Sequence, residues 1–352
     1  MTNRENMLRA LRRDNPERVP FEFVLCPSHI EEFKKRTGTD NYMEYYGFPF
    51  RYVELNPTKK NVDFSRFYTG LSAEAAPIAW NPEWGVMGIQ GSTAHFQEML
   101  HPMENFSIMQ EVLDYPYPDF NEDYRWLGLS QRVDQLKKDD LIAVAFMQMT
   151  IFEIAWYLRG MDNFMMDMVV NREFAEALLD RITDIRVGMA QKYAKAGVDI
   201  MMLGDDVSTQ IDMMISPELW RGLIKPRLAR IIKSAKEEKT DILVFYHGDG
   251  NLEKIIPDLI EIGIDILNPV QPECMDPIEI KELYGDKLSF WGTIGTQTTL
   301  PLGTPQEVRQ TCERMIEHVG RGGGLVLAPT HMIEPDVPWE NIQAFIDVVR
   351  NQ

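Results

Sequence analysis

The sequence predicts an α/β chain folded as a single (β/α)8 (TIM) barrel over residues 1–352. Its N-terminal part, about 1–120, is a helical and hairpin elaboration, and regular β/α units fill about 140–352. Three observations lead there. Short apolar runs alternate with longer amphipathic segments from about residue 140 onward. The runs are apolar throughout rather than alternating, as strands of a parallel sheet covered by helices must be. Glycines and short polar residues gather directly after the runs, where a barrel carries its chemistry. An open doubly wound sheet is the alternative. No G-x-G-x-x-G follows any run, so a dinucleotide site lacks its fingerprint.

The elements follow in order. Thr2 or Asn3 caps a short helix reaching about Arg13, with Glu5 in its first turn, and Asn15-Pro16 stops it. Arg18 to Val24 reads as the first strand. Residues of about 38–80 are aromatic and loop-rich and show no periodicity. Trp84–Gln90 and Thr93–Met99 flank Gly91-Ser92 as a hairpin, and the two prolines of Tyr115-Pro116-Tyr117-Pro118-Asp119 fix a rigid loop. The later strands are Leu141–Phe146, Asp199–Leu203, Ile242–Tyr246, Ile264–Leu267, Leu288–Trp291 and Leu325–Leu327. Helices are expected at about 171–196, 217–238, 252–261, 276–284, 304–319 and 338–350. These make seven strands; the pattern does not place the eighth.

Composition narrows the function. Asp and Glu number 54 against 36 Lys and Arg, a net charge of −18. That balance argues against nucleic acid and against anionic membrane surfaces as partners. No apolar stretch is long enough for a transmembrane helix. Cys26, Cys274 and Cys312 are widely spaced, without C-x-x-C, which suits a reducing, cytoplasmic setting.

The candidate site lies on the loops after the strands: Gly204-Asp205-Asp206, His247-Gly248-Asp249-Gly250-Asn251, Asn268-Pro269-Val270-Gln271, Gly292 to Gln297, and Ala328-Pro329-Thr330-His331. Of six histidines only His247 and His331 end barrel strands. With Asp249 they form a candidate set of metal ligands, although strand-end histidines also serve as plain hydrogen-bonding groups. Neighbouring Asp205 and Asp206 repel, so one is a candidate acid; alternatively one caps a turn and the other is solvated. Glu153 stands in an apolar stretch, where a carboxyl must be paired or protonated if buried. Glu153, Asp205 and Asp206 are therefore the catalytic candidates. Methionines in Phe146-Met147-Gln148-Met149 and at 165, 166 and 168 suit an adaptable apolar pocket, or ordinary core filling.

The ordered set of motifs resembles the uroporphyrinogen decarboxylase superfamily over nearly the whole chain. It comprises Arg18-Val19-Pro20, Glu83-Trp84-Gly85-Val86, Tyr115-Pro116-Tyr117-Pro118-Asp119, Leu158-Arg159-Gly160, Gly204-Asp205-Asp206 and Ile215-Ser216-Pro217-Glu218. It continues through His247-Gly248-Asp249-Gly250, Asn268-Pro269-Val270-Gln271, Phe290-Trp291-Gly292, Ala328-Pro329-Thr330-His331 and Pro338-Trp339-Glu340-Asn341. The resemblance implies a barrel but does not fix the reaction. True decarboxylases bind a polyanionic porphyrinogen and carry Arg-Gln-Ala-Gly-Arg-Tyr after the first strand. Phe23-Val24-Leu25-Cys26-Pro27-Ser28-His29-Ile30 stands there and holds no arginine.

The corrinoid-dependent methyltransferases form the other branch. Members that methylate a thiol are similar in having His-x-Cys and a later Cys on zinc, positions that fall on His247, Asp249 and His331. Replacing thiolates by harder donors implies a more Lewis-acidic metal, suited to an oxygen leaving group. The resemblance thus implies methyl transfer from a methoxylated, aromatic small molecule to a corrinoid protein, with zinc as cofactor. Met147, Trp156, Gln271 and Trp291 are the substrate-binding candidates, and pairing into a homodimer is compatible with the resemblance. A decarboxylase or lyase acting on a smaller acid, using Arg51 and Arg159, and a non-catalytic ligand-binding barrel remain the alternatives.

Overall fold

The computed structural model describes residues 1–68, 78–90 and 97–352. The apolar runs become strands: β1 Phe50–Val53, then β5 Ile142–Gln148, β6 Ile200–Gly204, β7 Leu243–His247, β8 Ile266–Asn268, β9 Ser289–Ile294 and β10 Leu325–Pro329. A separate antiparallel sheet is made by β2 Ile78–Asn81, β3 Val86–Gln90 and β4 Gln97–Leu100. The seven barrel strands lie parallel in the order β1-β5-β6-β7-β8-β9-β10. Their register runs Phe50↔Ile142, Val144↔Ile200, Ile200↔Leu243, Phe245↔Ile266, Ile266↔Ser289 and Phe290↔Leu325. Each strand after β1 is followed by helix, so the sheet is covered on its outer face and curls into the (β/α)8 barrel.

The stave that the sequence pattern does not place is β1, inside the aromatic region before residue 80. The stretch expected as the first strand makes two isolated parallel bridges, Phe21 to Leu327 and Leu25 to Ile333, in place of a ladder. Pro20 has no N–H to give, so its carbonyl accepts from Leu327 (2.9 Å) while Glu22 donates to Leu327 (3.3 Å). The bonding then passes beyond the end of β10 to Ile333, which donates to Val24 (2.8 Å) and accepts from Cys26 (3.1 Å). Phe21 and Phe23 pack on Phe48 and on Phe345 of the C-terminal helix. Alternation along extended chain therefore turns Glu22 and Val24 the other way, into the barrel.

Thr2 caps the first helix, Asn3–Leu11, by accepting from Glu5 N (3.2 Å). The helix expected at 217–238 is two, Pro217–Leu223 and Lys225–Glu238, because Pro226 cannot donate inside a helix and starts the second. The hairpin is present as β3 and β4, with Met87 opposite Leu100, and β2 adds a third strand to it. Its Gly91-Ser92 turn and His95 lie outside the described residues. No helix among the described residues is long and apolar enough to cross a membrane.

Candidate functional site

The adjacent acids after β6 have opposite surroundings. Asp205 is fully buried. Its carboxyl accepts from the backbone N–H of Ile151 (3.0 Å) and of Glu153 (3.0 Å), and so caps the helix Phe152–Arg159 of the preceding unit. Arg186 braces the same loop from behind through the carbonyls of Thr150 (3.1 Å) and Met149 (2.8 Å). Burial pushes the Asp205 carboxyl up, against the pull of those N–H groups and of Arg186. Asp205 is thus a structural acid turned away from the mouth, and Asp206 is the one that faces it.

Asp206, His247 and Asp249 offer ligand atoms that all lie within 4.8 Å of one another. His247 Nε2 is 3.7 Å from Asp206 Oδ1 and 3.9 Å from Asp249 Oδ1. Asn268 Nδ2 donates to the Trp291 carbonyl (2.6 Å), which turns Asn268 Oδ1 toward His247 Nδ1 (2.5 Å). Nδ1 then carries a proton, and Nε2 faces the two carboxylates. Asp249 Oδ1 is buried and has no hydrogen-bond partner among the described residues. Burial and the Asp206 charge raise the Asp249 carboxyl, with His247 and His331 opposing them. One imidazole with two carboxylates, one bearing an orphaned oxygen, is a donor set that fits a divalent ion.

Backbone geometry builds this cluster. A Cβ on Gly204 would come 2.6 Å from the His247 Cβ, so only glycine lets β6 pass beside the histidine. Gly250 has φ +89°, and a Cβ there would meet the Thr209 carbonyl at 2.4 Å. Gln271 accepts from Gly250 N, and Ser208 donates to the Asp249 carbonyl (2.6 Å). Asp206 N donates to Glu153 Oε2 (3.2 Å), and Tyr157 donates to Glu153 Oε1 (2.9 Å). Burial first, then the charges of Asp205 and Asp206, push Glu153 up, so this carboxyl favours its protonated form.

The adjoining wall, on β1 and β5, is aromatic. Tyr52 of β1 and Phe146 of β5 meet edge to face at 5.8 Å, yet are 43% and 44% exposed. Phe50, Phe245 and Trp291 pack below them, with ring centroids 5.4–5.5 Å apart. Trp291 Nε1 donates to Glu22 Oε1 (2.9 Å). Burial pushes the Glu22 carboxyl up to about 7, against the Trp291 hydrogen bond.

The residues expected from sequence divide accordingly. Asp206, His247 and Asp249 come together. His331 is exposed and lies outside the 4.8 Å set, acting on Asp249 only through its charge. Asp206 therefore stands where His331 was expected, because the Asp249 N–H holds its Oδ1 at 2.8 Å. Met147 is buried at 1% exposure, on the other side of the pleat from Phe146; the expected pocket position is off by one residue. Gln271 braces the Gly250 loop rather than facing a substrate. Trp291 does point inward, under the mouth. Trp156 sits behind, stacked edge-on with Tyr157 at 4.2 Å, its indole N–H buried with no partner among the described residues. Met168 fills core, while Met166 is exposed. Glu22 and Tyr52 are not among the sequence candidates, and Asn268 is there only as part of its loop. The signal for them is register: once His247 faces the mouth, Gly204↔His247 and Gln148↔Gly204 place Phe146 on the same face.

Arg51 and Arg159 are engaged away from this mouth. Arg51 donates to the carbonyls of Phe48 and Phe50 (both 2.7 Å). Arg159 pairs with Asp167 (2.7 Å), and its Nη1 donates to the carbonyls of Met103, Glu104 and Phe106.

A parallel barrel whose acids and imidazole sit at the C-terminal strand ends defines a barrel enzyme of the class the motifs resemble. Residues 112–352 match the uroporphyrinogen decarboxylase (URO-D) family model, and the chain belongs to that family. It is similar to a uroporphyrinogen decarboxylase of Rickettsia africae (strain ESF-5), 26% identical over 96% of this chain and 94% of that one. It is also similar to the methylcobamide:CoM methyltransferase MtaA of Methanosarcina barkeri, 29% identical over 54% of this chain and 52% of that one. A solved methyltransferase from Methanosarcina mazei shares the fold, with a TM-score of 0.65, 18% identity, and coverage of 99% of this chain and 98% of that chain. The family therefore joins decarboxylases and methyltransferases on one scaffold.

Proposed function

We propose that the chain moves a methyl group from a methoxylated aromatic small molecule to a corrinoid protein. The observation that carries this reading is the Asp206–His247–Asp249 cluster, with its orphaned Asp249 oxygen, set beside an aromatic wall in a mouth that Arg51 and Arg159 do not enter. The likeness to a methylcobamide methyltransferase supports it.

A divalent ion such as zinc, held by Asp206, His247 and Asp249, would supply Lewis acidity to the departing oxygen, and a partner's corrinoid would supply the acceptor for the methyl group. The chain's own residues do the rest. Tyr52, Phe146 and the floor around Trp291 hold an aromatic ring and exclude water from its faces. Asn268 keeps the His247 proton on Nδ1, so Nε2 stays available on the mouth side. Glu153, kept protonated by burial and by the acids beside it, stores a proton one residue contact behind Asp206, where an alkoxide or phenoxide is released. Asp205 fixes the loop and helix that present Glu153.

The test is direct. Purified protein, a reduced corrinoid protein and 2-methoxyphenol should give methyl-cobalt absorbance, and His247→Ala should abolish it. Absence of transfer across ethers, amines and thioethers would refute the reading. The full-length likeness to decarboxylases favours a second reading, a decarboxylase or lyase of a small acid. It needs a guanidinium in the pocket, and the engagements of Arg51 and Arg159 weigh against it.

A further inference from the structure

Glu22 lies outside the acid–imidazole cluster and outside every motif that carries the resemblance. It sits on the extended first stave with its side chain turned into the barrel, between the neighbours Phe21 and Phe23, which pack outward on Phe48 and Phe345. It retains partial exposure and is not sealed in the core. Only its Oε1 is engaged, by Trp291 Nε1 at 2.9 Å. Trp291 links this carboxyl to the cluster: its backbone carbonyl accepts from Asn268, and Asn268 holds His247. Val24, Tyr52 and Phe146, each at least 40% exposed, open the same mouth above.

Two consequences follow from charge and hydrogen-bonding capacity. An aromatic ring between the Tyr52–Phe146 wall and the cluster has a free carboxyl oxygen available at its far edge, which accepts hydrogen bonds. Desolvation and the Trp291 bond alone account for the displaced Glu22 titration, so no Lys or Arg among the described residues neutralises this end of the cavity. A carboxylate on the ring would meet Glu22 at one end and, at the other, two carboxylates whose charges balance any divalent ion they hold, so neither end offers it a net positive partner.

We propose that Glu22 is a specificity-determining residue that selects neutral methoxylated aromatics bearing a ring hydroxyl, whose O–H donates to Glu22, and rejects methoxylated benzoates. This rests on the methyl-donor reading above and names its substrate class.

The test separates the two claims by using ligands that have no methyl group to give. Binding of phenol, benzoate and phenyltrimethylammonium to the purified, chelator-treated protein is followed by titration calorimetry at pH 8, above the Glu22 titration, for wild type and for Glu22→Gln. The amide keeps an acceptor for Trp291, and circular dichroism confirms the fold. Phenol should bind on the order of tenfold or more tightly than benzoate in wild type, and Glu22→Gln should shrink that ratio to about threefold or less. The proposal is overturned if wild type binds benzoate as well as phenol, if the ratio is unchanged in Glu22→Gln, or if the ammonium cation binds more tightly than phenol, which would make the selected group a cation. Methyl transfer from 2-methoxyphenol, measured separately, stands or falls without reference to these ratios.

Discussion

The two sides of the barrel mouth are built by different means. On the β6–β7 side, Asp205, Asp206, His247 and Glu153 are held by backbone N–H groups, an asparagine and a tyrosine, and Asp249 is carried on a glycine-lined turn. On the β1–β5 side, Tyr52 and Phe146 meet edge to face, Tyr52 also packs on Phe50, and both stand open. The first side is rigid polar machinery suited to one reaction. The second is a replaceable apolar wall suited to setting which substrate enters. The contrast teaches that substrate range within this family can change on one side while the chemistry on the other is left alone.

The largest effect that would break this picture is expected at Asp205. Asp205→Ala leaves buried N–H groups at the start of a helix without an acceptor and should cost about 3 kcal/mol or more in urea unfolding. Asp206→Ala, one position on and half open, leaves one part-buried N–H without its acceptor and should cost only about 1 kcal/mol. Equal effects would mean the two acids do not have the separate roles assigned to them. Next, Gly250→Ala forces a side chain into a left-handed turn against the Thr209 carbonyl and should cost about 2 kcal/mol, with loss of the cluster's ligand geometry.

A smaller effect sharpens the other side. Glu22 has a folded-state carboxyl raised to about 7 from 4.5, so between those pH values the folded protein binds more protons than the unfolded one. Its contribution therefore falls as pH rises through that window and is most favourable below it. The melting temperature of chelator-treated protein should fall less between pH 5 and pH 8 in Glu22→Gln than in wild type; parallel profiles would contradict the buried-carboxyl account. Smallest of all, Phe146→Ala should leave stability within about 0.5 kcal/mol, because the ring is exposed, yet weaken binding of an aromatic ligand by roughly 1 kcal/mol.

The same division governs what the sequence revealed. Strands β5 to β10 and their helices are legible because each is a largely apolar run followed by an amphipathic helical segment, and Asp205, Asp206, His247 and Asp249 fall at the turns after β6 and β7. The division of labour between Asp205 and Asp206 was not legible, since it depends on which of them the Ile151 and Glu153 N–H groups reach. β1 was hidden because Phe50-Arg51-Tyr52-Val53 carries neither a continuous apolar run nor a flanking helix pattern, and its partner β5 lies about 90 residues away. Glu22 was hidden for a related reason: a single acid in a short extended segment gains meaning only once Trp291 is brought beside it by barrel closure.

The central claim is that Asp206, and not His331, completes the ligand set with His247 and Asp249. Metal content of the purified protein, measured by plasma mass spectrometry for wild type, Asp206→Ala and His331→Ala, tests it most directly. The account predicts about one divalent ion per chain in wild type and in His331→Ala, and its loss in Asp206→Ala. Retention in Asp206→Ala with loss in His331→Ala, or no ion in wild type, would contradict it.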